Sequence, residues 1–443
     1  MVNNRISDTG FGWIERLPKD WVTIKIKHSS YVKGRVGWHG LSSDEFIDEG
    51  PFLVTGTDLS YGKVNWETCY HIDKHRYDQD PHIQLRDGDL LITKDGTIGK
   101  VGVVTSLPGP ATLNSGLFVV RPINNSYDTR YLYWILKSKV FSQYIELTSY
   151  GSTISHLYQN VFVEFLFPLP DRHMQLSISR YLDHKTTQID ALIAKKQRQI
   201  ELLKEKRSSL ITEAVTKGLD PNAKMKDSNV EWILQIPVGW STKRIKFMCQ
   251  FVSGGTPSTS NRAFWDGEIP WVSSKDMKTH YLKEPQDHIT QLGVENSSTK
   301  IVPEGTLLLV MRSGILRHSL PVAVITSDMA INQDIKGLLK TSGEIDLRYL
   351  AWFIEGNQSL LLALWRKEGT TVESLESEDV ANFEVILPPH YEQLEIINHI
   401  EDNIEGTQSV IAAIHSSIEV LHEYRSSLIS EAVTGKLSIG EIS

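Results

Sequence analysis

The sequence predicts an α+β protein made of two pseudo-symmetric globular α/β units. Each unit is followed by a long helix, and the two helices pair as an antiparallel coiled coil. Three observations carry this. The segment Arg207–Thr216, RSSLITEAVT, returns almost unchanged as Arg425–Thr434, RSSLISEAVT, 218 positions later in a chain of 443 residues. Two proline-free runs, each ending in one copy of that segment, space their apolar residues in heptads. The sequence preceding each run carries short apolar β-rich stretches broken by Gly, Asp and Ser. A repeat of this size fixes the architecture before any local reading.

The duplication extends well beyond the ten-residue block. Trp13, Pro18, Trp21 and Lys27 recur as Trp232, Pro237, Trp240 and Lys246, and Asn114 recurs as Asn332. Arg130-Tyr131-Leu132 with Trp134 recurs as Arg348-Tyr349-Leu350 with Trp352, and Gly151, Thr153 and Leu157 recur as Gly369, Thr371 and Leu375. The chain therefore divides into a first globular unit (1–170), a first helical region (171–219), a second globular unit (220–388) and a second helical region (389–443).

Each globular unit opens on a Trp/Pro segment and continues through candidate strands. These are Leu90–Thr93, Val101–Val104 and Leu117–Val120 in the first unit, and Leu307–Met311 and Val322–Ile325 in the second. Helical patterns follow at Arg130–Leu147 and Leu347–Trp365. Residues 176–215 read as one long amphipathic helix, with Leu182, Ile189, Leu203 and Leu210 in one row, interrupted by Lys196, and Ile193 and Ile200 in another. The second helix repeats this with Ile400, Ile414, Leu421 and Leu428 beside Ile404, Ile411 and Ile418. A sustained 3.5-residue period keeps one seam facing a partner helix. Forty residues of helix span about 60 Å at the usual rise. Pro170 and Pro388-Pro389 fit the helix starts.

Charge separates the two helices. Residues 172–217 carry ten basic and five acidic side chains, net +5, whereas 390–435 carry one and eight, net −7. Each helix repels a copy of itself and attracts the other, so the pairing is predicted within one chain. The near-identity of RSSLITEAVT and RSSLISEAVT predicts a partner-binding surface presented twice, with Arg207, Ser208, Leu210 and Glu213, and Arg425, Ser426, Leu428 and Glu431, as candidate docking residues.

Composition excludes several classes. With 40% hydrophobic and 23% charged residues the chain is an ordinary globular one. It has no apolar run of about 18 residues and no signal pattern, so no membrane role is expected. Cys69 and Cys249, far apart and in no ligand spacing, predict neither a structural metal site nor a disulfide framework, and point to the cytoplasm. The net charge of −8 leaves the globular units nearly balanced, at −2 for 1–171 and −4 for 218–389, so any contact to nucleic acid must come from local clusters.

Such clusters exist on the predicted loops. Lys94, Thr97 and Lys100 surround flexible glycines, and the counterpart loop carries Arg312, Ser313, Arg317 and His318. Arg and Lys pair with guanine edges or phosphate, whereas Asn and Gln suit adenine, which brings in Asn114-Ser115 and Asn332-Gln333. Thr256 and Ser258 lie on a Gly/Ser/Thr loop, VSGGTPSTSN, able to approach a backbone closely; Ser152-Thr153 and Thr370-Thr371 lie on smaller loops of the same kind. Loops that diverge on a shared scaffold suggest two surfaces reading two different targets.

Catalytic signatures are missing. The sequence has no phosphate loop, no G-x-G-x-x-G, no H-E-x-x-H and no G-x-S-x-G. Asp334-Ile335-Lys336 is an isolated acid-x-Lys triplet of a kind that arises by chance. The chain reads as a recognition and assembly subunit, with no catalytic residues and no metal. The alternatives are a nuclease or methyltransferase acting alone, or a coiled-coil scaffold carrying two domains for ligands other than DNA.

Two divergent units, each followed by a long helix ending in RSSLIxEAVT, resemble the specificity subunit of type I restriction–modification systems. The repeated ends Arg207–Leu219 and Arg425–Leu437, the PLP-type helix start near Pro168–Pro170 and the stretch Gly254–Asp276 carry the resemblance, which covers essentially the whole chain. Asp171–Gln175 stands where the family often has a PEQ-like start, which His390–Gln393 approximates better. The resemblance implies two target recognition domains, at roughly 20–170 and 237–388, each reading half of a split asymmetric sequence in double-stranded DNA. It implies helices that act as a ruler and dock two methyltransferase subunits, to which restriction subunits are added. No cofactor is then expected on this chain; AdoMet, ATP and Mg²⁺ belong to the partners.

Overall fold

The computed structural model describes residues 6–11, 14–35, 41–148, 156–367 and 372–438. The predicted strands form at Leu90–Thr93, Val101–Val103, Leu117–Pro122, Leu307–Val310 and Val322–Ile325. Their unbroken apolar runs are buried on both faces, as expected of strands in the middle of a covered sheet. The chain forms two compact units, residues 1–196 with 415–443, and residues 197–414. This division differs from the sequence partition, because each long helix is shared out between the units.

Unit 1 is built on a six-stranded sheet whose spatial order is Ser30–Gly34, Leu117–Pro122, Leu90–Thr93, Val101–Val103, Lys63–Val64 and Leu59–Ser60. A smaller sheet joins Ala111–Leu113, Ile47–Val54 and Tyr70–His71. Unit 2 repeats the plan with Cys249–Ser253, Ile335–Lys340, Leu307–Val310, Val322–Ile325 and Tyr281–Leu282 in its larger sheet. Neighbours in both larger sheets run antiparallel except at the same place, where Lys63 pairs with Val103 and Tyr281 with Val324 in parallel. These two pairings set the structural register between the copies.

The predicted helix over Arg130–Leu147 is two helices, Thr129–Leu136 and Lys139–Thr148, and Leu347–Trp365 is likewise Leu347–Gly356 and Gln358–Trp365. The breaks have local causes. Ser138 Oγ donates to the Ile135 carbonyl, and Asn357 Nδ2 to that of Phe353, so each side chain takes up a carbonyl at the helix end. The long helices run from Arg172 to Lys217 and from His390 to Val433. Gln175 and Gln393 hold their starts through the same two bonds, to which Gln393 adds one from Nε2 to the Glu344 carbonyl at 2.7 Å. Each side-chain oxygen accepts from a backbone N–H of the preceding domain (Asp128 and Asp346, both 2.8 Å), and each amide nitrogen donates to a proline carbonyl (Pro170 at 2.8 Å and Pro388 at 2.9 Å). The glutamine, shared by both starts, is the residue that matters there.

Within each unit the N-terminal half of one long helix packs with the C-terminal half of the other, which is the antiparallel arrangement. Ile178, Leu182, Ile189 and Ile193 are buried in unit 1 with Ile418, Leu428 and Ile429; Ile396, Ile397, Ile400 and Ile404 share the unit 2 core with Ile211 and Val215. Arg425, the one basic residue in 390–435, pairs with Asp190 of the basic helix at 2.9 Å. This ion pair runs opposite to the bulk charge of the two helices.

The repeated ends close the units from within. Ile211, Ala214 and Val215 belong to the core of unit 2, and Ile429, Ala432 and Val433 are buried equivalently in unit 1. Thr212 donates to the Gly356 carbonyl at 2.6 Å, and its counterpart Ser430 accepts from the Lys139 N–H at 3.1 Å. Each helix then stops at a glycine in the left-handed region, Gly218 (φ +77°) or Gly435 (φ +68°). A Cβ on Gly218 would lie 3.1 Å from Trp240, and one on Gly435 2.5 Å from Pro18 and 3.2 Å from Trp21. The repeated P-x-x-W segment is thus the seat for the repeated helix end. Burial of one Ile or Val contributes about 1.5–3 kcal/mol, and each end buries one of each beside an alanine, which gives a physical reason for the repeat. The reading of these ends as a surface free for a partner is corrected accordingly. Leu428 is buried, Leu210 packs on the unit 2 core, and Arg207 and Arg425 are held by Glu355 and Asp190; Ser208 and Glu213 alone of the eight candidates are exposed.

Candidate nucleic-acid interface

Both units gather polar side chains at one strand end of the larger sheet. In unit 1 the strand Leu90–Thr93 runs into the turn 94–100, which Thr93 organises. Its hydroxyl donates to the Thr97 carbonyl at 2.5 Å and accepts from the Lys100 N–H at 2.9 Å. Gly96 and Gly99 take positive φ, which the tight turn needs. Thr97 is exposed, but the two lysines are not free arms. Lys94 lies over the Phe118 ring, 5.6 Å from its centroid, with its side chain 14% exposed; Lys100 donates to the Gly56 carbonyl at 3.1 Å. Beside Thr97, the surface carries polar groups that no sequence pattern marks. Asp95 pairs with His156 Nδ1, and that imidazole packs against Tyr158, which is 62% exposed. Asp95 and His156 lie 61 residues apart, so no local pattern joins them.

Backbone hydrogen bonds define the matching place in unit 2. Lys94 N–H donates to the Gly116 carbonyl, and Met311 N–H to that of Asp334, both at 2.8 Å; Leu157 and Leu375 N–H donate to Lys94 and Met311 at 2.7 and 2.8 Å. Lys94 therefore corresponds to Met311, Asp95 to Arg312, Ser115 to Gln333 and His156 to Ser374. At one register the first unit presents an acid, a hydroxyl and an imidazole, and the second an arginine and an amide.

In unit 2 the Arg312 guanidinium is exposed and has no partner among the described residues. Ser313 caps the short helix Gly314–Arg317 through its side chain, Arg317 pairs with Glu373 at 3.2 Å, and His318 is exposed at that helix's end. Asn332 is buried, and its Oδ1 accepts from the Asp334 N–H at 3.0 Å; Asn114 Oδ1 accepts from the Ser115 N–H at 2.7 Å. Both asparagines shape turns and have their acceptor facing their own backbone, whereas Gln333, beside Asn332, is exposed.

The loop after Cys249–Ser253 brings Thr256 to Gln333, where its hydroxyl donates to Oε1 at 2.5 Å. Ser258 pairs with Ser260 at 2.9 Å on the same exposed loop. The glycines of VSGGTPSTSN serve the protein interior rather than an approach to a ligand backbone. A Cβ on Gly254 would sit 1.8 Å from the Ile331 carbonyl oxygen, and one on Gly255 2.1 Å from Ser298 Oγ. Lys336 of the acid-x-Lys triplet donates to Ser377 at 2.8 Å. Among the described residues no group of three or more His, Cys, Asp and Glu could hold a metal ion. Ser152, Thr153, Thr370 and Thr371 lie outside the described residues.

Comparison with known proteins places this duplicated arrangement. A family model described as the type I restriction modification DNA specificity domain matches twice, over residues 18–202 and 237–420. The specificity subunit of the Escherichia coli EcoR124I/EcoR124II enzyme is 31% identical over 196 residues, covering 44% of this chain and 46% of that protein. The MjaIX specificity subunit of Methanocaldococcus jannaschii is 25% identical over 437 residues, 97% of this chain and 96% of its own. A chain from a structure concerned with complex assembly and conformational transition of the type I R-M system superposes with a TM-score of 0.74 at 14% identity, covering 95% of this chain and 99% of that one. The HsdS subunit of Thermoanaerobacter tengcongensis gives 0.54 at 15% identity, covering 95% and 98%. With both repeats matched over most of their length, the chain belongs to the type I restriction–modification DNA specificity family.

Proposed function

We propose that the chain reads a bipartite, asymmetric sequence in double-stranded DNA, one half with each unit, and carries no chemistry of its own. One observation carries this: at a single structural register the two units present different base-reading chemistry, Asp95, Ser115 and His156 against Arg312 and Gln333. Shared backbone with exchanged side chains is the pattern expected of two readers of two words.

On this reading two methyltransferase subunits dock on the chain and restriction subunits join that core in the cytoplasm. AdoMet, ATP and Mg²⁺ bind the partners, and the assembled complex is an adenine-specific DNA methyltransferase and ATP-dependent endonuclease. Ser208 and Glu213 remain exposed for docking. No helix among the described residues is long and apolar enough to cross a membrane. The near-neutral recognition units need partners to supply much of the positive surface around the phosphates. The isolated chain therefore binds DNA weakly, and gains affinity and specificity with the methyltransferase subunit; tight sequence-specific binding by the chain alone in a gel-shift assay contradicts this. The decisive experiment exchanges residues 237–388 for those of a relative with a different target and maps methylated adenines. A change confined to one half of the motif is expected, and an unchanged motif overturns the proposal.

A further inference from the structure

We propose that Gln333 reads an adenine in the half-site of unit 2, with Thr256 and Asp334 as the residues that position its amide; the inference rests on the DNA-reading function proposed above.

Three facts single this side chain out. Gln333 is exposed, whereas the Asn332 side chain beside it is buried and spent on the turn. Its amide is nevertheless held at both ends. Thr256 Oγ1 donates to Oε1 at 2.5 Å, and Nε2 donates to Asp334 Oδ2 at 3.3 Å. The turn itself is already fixed by the Asn332 side chain and by the Met311 and Arg312 N–H groups on the Asp334 carbonyl, at 2.8 and 3.2 Å. Anchoring Gln333 therefore adds little to the fold. Ordering a long glutamine side chain costs rotamer entropy that an exposed pair of hydrogen bonds barely offsets.

The anchors also fix which end is which. A carboxylate only accepts, so the amide atom facing Asp334 must be the nitrogen. The Thr256 hydroxyl can donate and thus matches the oxygen. An amide has two lone pairs on its oxygen and two N–H bonds. Thr256 uses one of the first and Asp334 one of the second, which leaves one acceptor and one donor side by side. That pair complements adenine, whose major-groove edge offers the N6 amino donor and the N7 acceptor. Guanine offers acceptors at both positions, and cytosine offers only a donor, so neither satisfies both. The exposed Arg312 guanidinium follows the strand that the same Asp334 carbonyl closes, in position for a phosphate or a neighbouring guanine.

The test uses the chain co-expressed with its methyltransferase partner, with adenine methylation mapped across a host genome. Gln333→Ala is expected to relax one adenine in one half of the motif, with preference for it falling about tenfold or more, and to leave the other half unchanged. Thr256→Val is expected to relax the same position less, and Thr256→Ser to keep it, because serine retains the donor. A purely structural role for Thr256 would lower methylation at all sites without changing the motif. An unchanged motif with Gln333→Ala overturns the inference. Should that variant lose methylation altogether, Gln333→Met, similar in length and without the amide, decides by the same two outcomes. Exchange of residues 237–388 separates the layers. If the exchange alters half of the motif and the Gln333 variants do not, only this inference falls. If the exchange alters nothing, the recognition function itself falls.

Discussion

The His280 ring lies flat on the indole of Trp352, with centroids 3.4 Å apart and planes inclined by 9°. The pairing of Lys63 with Val103 and of Tyr281 with Val324 makes Gly62 the unit 1 counterpart of His280. The helix register Arg130-Tyr131-Leu132-Tyr133-Trp134 against Arg348-Tyr349-Leu350-Ala351-Trp352 pairs Tyr133 with Ala351. A Cβ on Gly62 would lie 2.4 Å from the Tyr133 hydroxyl, and Tyr133 packs edge-on against Trp134 at 4.9 Å. One copy covers its tryptophan with a ring from the helix, the other with a ring from the bend that precedes the strand Tyr281–Leu282. Close packing demands that the site be filled, and is indifferent to which element fills it. His280→Gly is expected to destabilise unit 2 by about 2–4 kcal/mol through the lost ring. Adding Ala351→Tyr is expected to restore part of that loss, a non-additivity readable in a double-mutant cycle of thermal or denaturant melts. Purely additive losses reject the exchange.

The same histidine gives the unit an acid-sensitive contact. His280 Nδ1 lies 3.0 Å from Glu355, and because a carboxylate only accepts, Nδ1 carries the proton. Arg207 pairs with the same carboxylate. Burial acts to raise the Glu355 pKa, but the His280 hydrogen bond and the Arg207 charge outweigh it and hold the carboxyl below the ordinary glutamate range. A depressed folded pKa gives stability that is fully present above the unfolded value, about 4.3, and is lost as pH falls through the folded one. Glu355→Gln is therefore expected to lower Tm near neutrality, with the gap to wild type closing below about pH 4.3. A gap independent of pH between 3 and 7 contradicts this.

The repeated arginines should differ although their sequence context does not. Arg207 meets the half-buried Glu355, whereas Arg425 meets Asp190, whose side chain is 49% exposed. Lys137 occupies the place of Glu355 in unit 1, offset by 218, so Arg425 has no carboxylate there and reaches the neighbouring helix instead. Arg425→Ala is expected to cost about 0.2–1 kcal/mol and to matter less in high salt. Arg207→Ala is expected to cost more, about 1–3 kcal/mol, because it strips a partner from a half-buried charge. Equal losses in denaturant titrations would refute the distinction.

The sequence carried the local part of this architecture and lost the non-local part. Leu90–Thr93 and Leu307–Val310 were legible because four apolar residues in a row between turn signals have few other uses. The heptads told which face of each long helix is buried, through Leu182, Ile189, Ile400 and Ile404. They did not tell against what, since a periodicity belongs to one element and a docking seat to another, as Gly435 near one end of the sequence lands on Pro18 near the other. RSSLITEAVT is therefore visible as a repeat, and so are Pro18-Trp21 and Pro237-Trp240, but nothing in the spacing says that the ends land on them. The recognition surface follows the same rule. Residue types suited to bases are legible one by one, yet which of Asn332 and Gln333 is spent on the backbone depends on a turn that spacing does not encode.

The helix stops offer the most direct test of that docking. Gly218 and Gly435 both hold positive φ, so any side chain is strained there by about 1 kcal/mol before it meets a neighbour. The neighbours then separate the two sites. An alanine at 435 places its Cβ 2.5 Å from Pro18 and forces the proline or the helix end to move; at 218 the nearest atom is 3.1 Å away, on the edge of Trp240. Gly435→Ala is expected to cost about 2–4 kcal/mol and Gly218→Ala about 1–2 kcal/mol. Because Gly435 seats the second long helix on unit 1, its substitution should also raise amide exchange in Ile429–Val433 while leaving the Ile211–Val215 segment protected. Equal exchange at both ends would mean that the two closures melt as one, and that the seat at Pro18 is not what holds the second helix end.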